Sequence, residues 1–269
     1  MRRSGRGTEQ WVFMPRKNTE IIQGDCLEVL DTLRAKRGEF ADLVFCDPPY
    51  HLSNGGVTCQ NGKMVAVDKG KWDRSAGFEN NLSFNLSWIE RCKSILKPHG
   101  TIMISGTLHS IYSIGFAMQK VGMKLLNNIT WQKPNPPPNL SCRYLTHSTE
   151  TIIWAAKDQS SKHMFNYQLM KKMNNGKQMK DVWTMTAPNK SEKMFGKHPT
   201  QKPLSLMRQL ILSSTKEGDT VLDAFNGSGT TGVAAIETNR KYVGIELDPV
   251  YVTLSENRFS DARKRTKRK

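Results

Sequence analysis

The sequence has no two cysteines in a C-x-x-C spacing, although it contains five cysteines among 269 residues. Paired cysteines of that kind are typical of structural zinc sites, and dense cysteines are typical of secreted disulfide frameworks. The sequence therefore indicates neither a zinc site nor a disulfide framework. We expect reduced cysteines in a cytoplasmic protein.

Long apolar runs and acidic residues are also scarce. No stretch approaches the roughly 18 apolar residues that a membrane span requires. The N-terminal segment MRRSGRGTEQ is basic but lacks the hydrophobic part of a signal peptide. The 24 Asp and Glu residues face 40 Lys and Arg residues, which leaves a formal net charge of +16. We therefore expect no membrane association and a polyanionic partner, most simply nucleic acid.

Apolar strands alternate with amphipathic helices, which predicts a doubly wound α/β sheet in one domain of residues 20–260. Residues 52–80 hold five glycines and no sustained periodicity, so we expect a long loop there. From Phe84 the pattern predicts a helix that ends at Pro98-His99-Gly100. Residues 158–200 are rich in lysine and predict a small inserted lobe. The ends are basic, an arm of residues 1–19 and a tail of residues 261–269, and we assign the tail no fold.

The stretch ADLVFCDPPY describes a buried strand that ends in Asp47, Pro48, Pro49 and Tyr50. Two consecutive prolines fix φ and lack backbone donors, so neither a strand nor a helix continues there. The resulting elbow presents a carboxylate, free carbonyl oxygens and an exposed aromatic ring. It does so at the carboxyl end of a strand, where open α/β sheets bind ligands. Taken alone, the stretch is equally compatible with a structural turn.

The stretch VLDAFNGSGTTGVAA, residues 221–235, predicts a strand, a glycine-rich turn and a helix. Gly227 and Gly229 allow positive φ and a close backbone approach to a ligand. No lysine follows in the P-loop position. A dinucleotide fingerprint would need a glycine where Phe225 stands, which makes a nicotinamide-dependent dehydrogenase the weakest alternative.

Two acids narrow the choice of ligand. Asp223, at the end of the strand, would repel a pyrophosphate but can pair with a cationic or amine-bearing ligand. Glu246 ends the next strand, at the position that binds ribose hydroxyls in such sheets. The combination favours an adenosine that carries an amino acid and no phosphate, as S-adenosylmethionine does.

The segments DPPY and FNGSG resemble the two hallmark motifs of amino-group DNA methyltransferases, [DNS]-P-P-[YFW] and F-x-G-x-G. Their order, with the catalytic motif first, resembles the permuted β class. The segments NNITWQKPNPPPNLSCRYLTHSTETI and NNGKQMKDVW are similar to the DpnA-type adenine methyltransferases of DpnII-like restriction systems, over about residues 20–250. The resemblance implies a Rossmann-like, S-adenosylmethionine-dependent, circularly permuted sheet in which DLVFCD lies beside TVLDAF.

The resemblance also assigns roles to residues. Asp47 and the carbonyl of Pro48 would accept the N–H bonds of the target amine, and Tyr50 would stack on the extruded base. Thr200 and Lys202 of GKHPTQKP would hold the methionine carboxylate, although an ordinary loop before a helix is an alternative there. The implied cofactor site comprises Asp25 at the adenine, Glu246 at the ribose, and Cys26, Asp223, Phe225, Asn226, Gly227, Ser228, Gly229 and Thr230.

The implied substrate is adenine N6 in double-stranded DNA within GATC, with single-stranded DNA as a further substrate and a homodimer as one expected state. Arg143 and His147 are candidate DNA contacts or ordinary loop residues, and His109 fits a helix start. Cytosine N4, RNA or a protein amide, and a silent nucleic-acid-binding partner stay as alternatives. Cytosine C5 methylation needs a Pro-Cys pair, and no cysteine in the sequence follows a proline.

Overall fold

The computed structural model describes residues 18–50, 57–60, 63–66 and 73–267, with the backbone alone for 57–60 and 63–66. Within these residues eight strands form one mixed sheet and two form a hairpin. The strands are β1 Thr19–Gln23, β2 Ala41–Cys46, β3 Val57–Gln60, β4 Lys63–Ala66, β5 Leu96–Gly106, β6 Lys124–Gln132, β7 Thr149–Ala156, β8 Val182–Thr184, β9 Thr220–Asp223 and β10 Lys241–Glu246. The helices are α1 Cys26–Arg37, α2 Phe78–Ile95, α3 Ile111–Lys120, α4 Tyr167–Met173, α5 Leu204–Ser214, α6 Thr230–Glu237 and α7 Pro249–Lys267.

The order of strands in the large sheet is β1-β10-β9-β2-β5-β7-β6-β8. The first five run parallel, and β7 is antiparallel to both β5 and β6. Strand β9 from the C-terminal part of the chain lies between β10 and β2, with Val221 opposite Leu43. The predicted doubly wound sheet and its permuted strand order are therefore confirmed.

Two hydrophobic clusters cover the two faces of the sheet. All six residues of β2 are buried, and from Leu43 onward they alternate between the clusters: Val44 packs with α1, α2 and α3, whereas Leu43 and Phe45 pack with α5, α6 and α7. Burial on both faces explains why this strand is apolar apart from Asp42, as is usual for a central parallel strand. Among the described residues, no helix is long and apolar enough to span a bilayer.

Two predicted boundaries were wrong. Helix α2 begins at Phe78 inside the predicted loop 52–80, which also contains the β3–β4 hairpin. Residues 52–56, 61–62 and 67–72 of that predicted loop lie outside the described residues. Helix α2 ends at Ile95, and Pro98-His99-Gly100 belong to strand β5 instead of a helix end. The β2–β5 register shifts between Ala41 and Leu43, and such an irregularity accommodates a proline.

The predicted insert of residues 158–200 is in part an extension of the main sheet. Its strand β8 pairs in parallel with β6, with Trp183 opposite Trp131, and its helix α4 packs against α5. Both tryptophans are buried in the second cluster. A role of this segment in target recognition stays a prediction.

Residues 261–267 of the basic tail are helical, contrary to the prediction. Helix α7 continues to Lys267 because Arg265 finds two acidic partners, Glu237 at 2.8 Å and Asp261 at 2.9 Å. Local neutralisation of this kind offsets the repulsion that keeps like-charged segments unfolded. Most of the predicted N-terminal arm, residues 1–17, lies outside the described residues.

A buried carboxylate joins three strands at their amino ends, opposite the ligand-binding edge. Asp42 of β2 is 3% exposed and accepts hydrogen bonds from Lys97 Nζ at 2.7 Å and from the Thr220 N–H at 2.9 Å. The ring of His99 lies 3.0 Å from the same carboxylate. Asp42 thus connects β2 with β5 and β9.

We expect Asp42→Ala to lower the free energy of unfolding by about 2–3 kcal/mol, because it leaves Lys97 and a backbone donor without their acceptor. The matched control is Asp31→Ala, which removes an exposed carboxylate paired with Arg91 at 2.9 Å and should cost less than about 1 kcal/mol. Urea denaturation of both variants measures the difference. Equal losses would contradict a structural role for Asp42.

Candidate active site

The carboxyl ends of β1, β10, β9 and β2 open into a cavity of about 690 Å³. Most of the predicted cofactor residues line it, together with two residues of the DPPY motif. These lining residues are Asp25, Cys26, Asp47, Pro49, Thr200, Lys202, Asp223, Phe225, Asn226, Gly227, Ser228, Thr230 and Glu246. Segments that are far apart in the sequence thus meet at one edge of the sheet, as the strand order requires.

Asp223 organises the glycine-rich turn. It is 2% exposed, and its two oxygens accept hydrogen bonds from the Phe225 N–H at 3.0 Å and the Thr231 hydroxyl at 2.5 Å. Burial raises the pKa of Asp223 to about 7. The carboxylate that the sequence suggested as a partner for a cationic ligand therefore also shapes the turn that forms the cavity floor.

Glu246 and Asp25 stand at the ends of β10 and β1. Glu246 accepts hydrogen bonds from the Gly227 N–H at 2.7 Å and from the Asp248 N–H at 2.9 Å, and burial raises its pKa. Asp25 caps helix α1 by accepting a hydrogen bond from the Leu27 N–H at 2.8 Å. Both carboxylates are held in place by backbone donors, so they face the cavity in fixed positions.

His198 covers the turn and was not predicted. A Cβ atom added to Gly227, whose φ is +52°, would lie 3.2 Å from the His198 ring. The ring also packs edge-on against Tyr251 at 4.3 Å, and its Nδ1 lies 3.2 Å from the Thr200 hydroxyl. The signal was available, because His198 belongs to the GKHPTQKP segment that already suggested a cofactor contact.

Tyr50 does not present an exposed ring, contrary to the prediction from the DPPY elbow. It is 5% exposed, and its hydroxyl contacts Asp47 Oδ1 and lies 3.0 Å from Ser105 Oγ. Its backbone N–H donates to Asp73 Oδ1 at 2.9 Å. These polar partners draw the ring inward, so stacking on a base requires Tyr50 to move.

Lys202 contacts two residues of the DPPY segment. Its Nζ lies 2.5 Å from Asp47 Oδ2, 3.0 Å from the Tyr50 hydroxyl and 3.4 Å from Glu150 Oε2. Burial alone would lower the pKa of Lys202, but the charges of Asp47 and Glu150 raise it well above its usual range, so it stays cationic. The sequence did not predict this contact, and a methionine carboxylate would have to compete with it.

Glu150, at the start of β7, is a second residue that sequence reasoning missed. Lys133 Nζ contacts its Oε1 at 2.5 Å, so four charges alternate in the order Lys133, Glu150, Lys202, Asp47. Burial would raise the pKa of Glu150, but the two lysines lower it, which keeps the carboxylate ionised. The sequence signal was weak, since an acid at a strand start has no distinctive neighbours.

The two predicted DNA contacts lie away from the cofactor cavity. His147 lines a second cavity of about 500 Å³ between residues 106–112 and 133–151, together with His109 and Tyr144. Lys133 and Glu150 also line it, so the four-charge chain reaches from one cavity to the other. Arg143 is exposed on the same connector and does not line either cavity.

The family profile for DNA methylases, N6_N4_Mtase, matches residues 41–257 of the chain. The chain is a member of this DNA methylase family. Two relatives are Type II methyltransferases: M2.LlaDCHI of Lactococcus lactis subsp. cremoris is 51% identical, over 92% of this chain and 91% of that protein. M2.DpnII of Streptococcus pneumoniae is 53% identical, over 89% of this chain and 88% of that protein. The predicted resemblance to DpnII-like restriction systems is confirmed.

Solved structures agree on the fold of this DNA methylase. The M1.HpyAVI complex with S-adenosylmethionine is 28% identical, covers 89% of this chain and 98% of its own, and has a TM-score of 0.69. The PvuII DNA methyltransferase, described as cytosine-N4-specific, is 21% identical, covers 93% of both chains, and has a TM-score of 0.70. The predicted methyltransferase fold and the family's cofactor, S-adenosylmethionine, are thereby confirmed, whereas the role of each site residue stays a prediction.

We expect Gly227→Ala to weaken cofactor binding by about tenfold, equivalent to about 1.4 kcal/mol. The new methyl would press on the His198 ring and narrow the floor of the cavity. Gly218→Ala is the control, because Gly218 has a φ of +84° with nothing within 4 Å of an added Cβ. Both variants carry the strain of positive φ, so isothermal titration that found equal affinities would contradict the role of Gly227.

The raised pKa of Asp223 predicts a pH-dependent stability. The unfolded chain releases this proton near pH 3.9, whereas the folded chain holds it to about pH 7. The contribution of Asp223 to the free energy of unfolding is therefore complete below about pH 4 and is lost as the pH rises through about 7. Between about pH 5.5 and pH 8 we expect the free energy of unfolding of the wild-type protein to fall by about 2 kcal/mol. Asp223→Asn cannot ionise and should not show this fall.

Urea denaturation of the cofactor-free protein at both pH values measures this difference. Asp31→Asn, which changes an exposed carboxylate, is the control and should keep the wild-type pH dependence. The same pH dependence in wild type and Asp223→Asn would show that Asp223 ionises normally.

Proposed function

We propose that this DNA methylase transfers the methyl group of S-adenosylmethionine to adenine N6 in DNA, within GATC. The observation that carries the proposal is the position of Asp47, which lines the same cavity as Gly227 and Glu246. A carboxylate at the wall of a cofactor cavity can hold an amine beside the methyl donor. When bound, S-adenosylmethionine supplies an electrophilic methyl group.

The cavity suits a nucleoside with an amino acid. The glycine-rich turn exposes backbone without side chains, and Glu246 and Asp25 provide carboxylates that can accept hydroxyl or amine protons. We assign Asp25 to the adenine of the cofactor, Glu246 to its ribose and Thr200 to its carboxylate. Cys26, Phe225, Asn226, Ser228 and Thr230 complete the wall of the cavity, and Gly229 shapes the turn.

The chain's own groups then prepare the amine. The amino group of adenine is a poor nucleophile because its lone pair is delocalised into the ring. Asp47 and the carbonyl of Pro48 accept its two N–H bonds, which localises the lone pair and aligns it for attack. Pro49 keeps the elbow rigid, and the Tyr50 ring moves to stack on the extruded base while its hydroxyl stays with Ser105.

The preference for adenine and GATC draws on the relatives. M2.LlaDCHI, M2.DpnII and M2.MboI of Moraxella bovis are 51%, 53% and 47% identical to this chain, and the sequence resembles the DpnA-type adenine enzymes. The net charge of +16 supports a DNA substrate, double-stranded or single-stranded. Arg143 and His147 are proposed DNA contacts, and a homodimer and a cytoplasmic location stay predictions.

The test is transfer of tritiated methyl groups from S-adenosylmethionine to oligonucleotides that contain GATC or, as a matched control, GTAC. Each is offered single-stranded and double-stranded, and the products are separated as nucleosides. We expect N6-methyladenine with GATC alone, and a loss on the order of 100-fold or more in Asp47→Ala. Asp31→Ala, which removes an exposed carboxylate, should remain active.

Other outcomes are equally informative. Label in N4-methylcytosine would overturn the adenine assignment while leaving the chemistry of Asp47 intact. Label in both GATC and GTAC oligonucleotides would overturn the proposed sequence specificity. Cofactor binding without label on any DNA would redirect the search to RNA or protein amides, and absence of cofactor binding would favour a silent nucleic-acid-binding partner.

A further inference from the structure

Both carboxylate oxygens of Asp47 already have partners. The Tyr50 hydroxyl contacts Oδ1, and Lys202 Nζ lies 2.5 Å from Oδ2. The proposed reaction requires Asp47 to accept an N–H bond from the substrate amine. Each oxygen can accept a second hydrogen bond, so the incoming N–H either shares an oxygen with the present partner or displaces that partner, and the surroundings decide which oxygen is open to it.

Tyr50 is the partner that can leave. Its hydroxyl lies 3.0 Å from Ser105 Oγ at the carboxyl end of β5, so a second hydrogen-bonding group is at hand. Burial raises the pKa of Tyr50 well above its usual range, so the phenol stays neutral and its departure moves no net charge. Exchanging a neutral donor for the neutral amine leaves the electrostatics of Asp47 unchanged.

Lys202 is the partner that stays. It is 6% exposed and sits between two carboxylates, Asp47 and Glu150, and it also lies 3.5 Å from the Thr200 carbonyl oxygen. Moving it away from Asp47 would leave a partly buried carboxylate, 14% exposed, without its cation, which is unfavourable. Glu150 holds Lys202 from the far side, and Lys133 holds Glu150 in turn.

We propose that Glu150 and Lys202 are a positioning pair that fixes Oδ2 of Asp47 and leaves Oδ1 to the substrate amine when the Tyr50 hydroxyl turns to Ser105. This inference rests on the proposed function, because it specifies how Asp47 is presented to the amine. It assigns Lys202 to the catalytic carboxylate instead of the cofactor carboxylate. It also gives Glu150, which does not line the cofactor cavity, a role in the transfer step.

The first test compares Lys202→Met, Glu150→Gln and the double variant in single-turnover methyl transfer at saturating cofactor and DNA. We expect each single change to slow transfer by 10- to 100-fold, on the scale that misplacing a reacting group costs, with cofactor affinity unchanged. Adding Glu150→Gln to Lys202→Met should have little further effect, because the pair is already broken. Lys202→Arg keeps the charge and should recover part of the rate.

The pH dependence of kcat supplies a readout that a merely structural role would not move. In Lys202→Met, Asp47 faces Tyr50, Glu150 and Asp223 without its cation, so the acidic limb of the kcat profile should shift to higher pH. In Glu150→Gln an anion is removed and Lys202 remains, so that limb should not move upward. An unchanged acidic limb in Lys202→Met, or an upward shift in Glu150→Gln, would overturn the proposal.

Ser105→Ala tests the exchange without burying an unpaired charge. It removes the neutral partner that the Tyr50 hydroxyl has besides Asp47 and Lys202, and it should slow transfer while leaving both charges of the pair in place. A wild-type rate in Ser105→Ala would overturn the proposed movement of Tyr50. This variant also keeps the proposal testable if Lys202→Met does not fold.

The matched control is another lysine–glutamate pair, Lys157 and Glu39, whose Nζ and Oε1 lie 2.7 Å apart. Lys157→Met and Glu39→Gln should leave the transfer rate unchanged. A normal transfer rate in Lys202→Met with weakened cofactor binding would overturn the positioning role and return Lys202 to the cofactor. That result differs from failure of the proposed function, in which the wild-type protein itself would transfer no methyl group to adenine.

Discussion

The hydrogen-bonded pairing of β2 with β9 is the contact on which the site depends. It places Phe45 opposite Asp223, so that the DPPY elbow and the glycine-rich turn leave the sheet side by side. Parallel strands deliver their carboxyl ends to one edge, and that edge is where a crevice forms between neighbouring strands. The order of these segments along the chain does not matter to the chemistry, which explains how a permuted sequence retains the same site.

The chain is positively charged as a whole, whereas the cofactor cavity is lined by acidic residues. The chain carries a net charge of +16, yet Asp25, Asp47, Asp223 and Glu246 all line the cofactor cavity. A positive surface attracts a polyanion over long distances, whereas the carboxylates act at short range inside the cavity. A basic DNA methylase can therefore bind DNA and still offer an acidic cavity to a positively charged methyl donor.

Local sequence patterns predicted the elements, and long-range contacts set the rest. The apolar run of β2 and the glycines at 227 and 229 could be read directly, because strand burial and positive φ depend on nearby residues. The resemblance to a known family added the strand order. The helical tail could not be predicted, because Arg265 is neutralised by Glu237 from another helix.

The same limit applies to the site. The segment GKHPTQKP marked Lys202 as functional, but its partner Asp47 is 155 residues away, and no local pattern shows where a lysine side chain will point. Glu150 can be identified as part of the site from its ion pairs with Lys202 and Lys133 in the folded protein, and not from the sequence around it. The burial of Tyr50 has the same origin, because a ring that local geometry would expose is held inside by Ser105 and Asp73 from other segments. In each of these cases the contacts of the side chain depend on segments that only the assembled sheet brings together.

A resting site in which both oxygens of Asp47 are occupied has an energetic consequence. A carboxylate that faced water would have to be desolvated before it could accept a hydrogen bond from the substrate, at a cost of several kcal/mol. In this structure the Tyr50 hydroxyl occupies one oxygen of Asp47 and Lys202 the other. Under the proposed function, an arriving amine would exchange one hydrogen bond for another at the first oxygen, while Lys202 would keep the carboxylate in one orientation. Asp47 would then be ordered during folding, and binding free energy would be left to extrude and align the base.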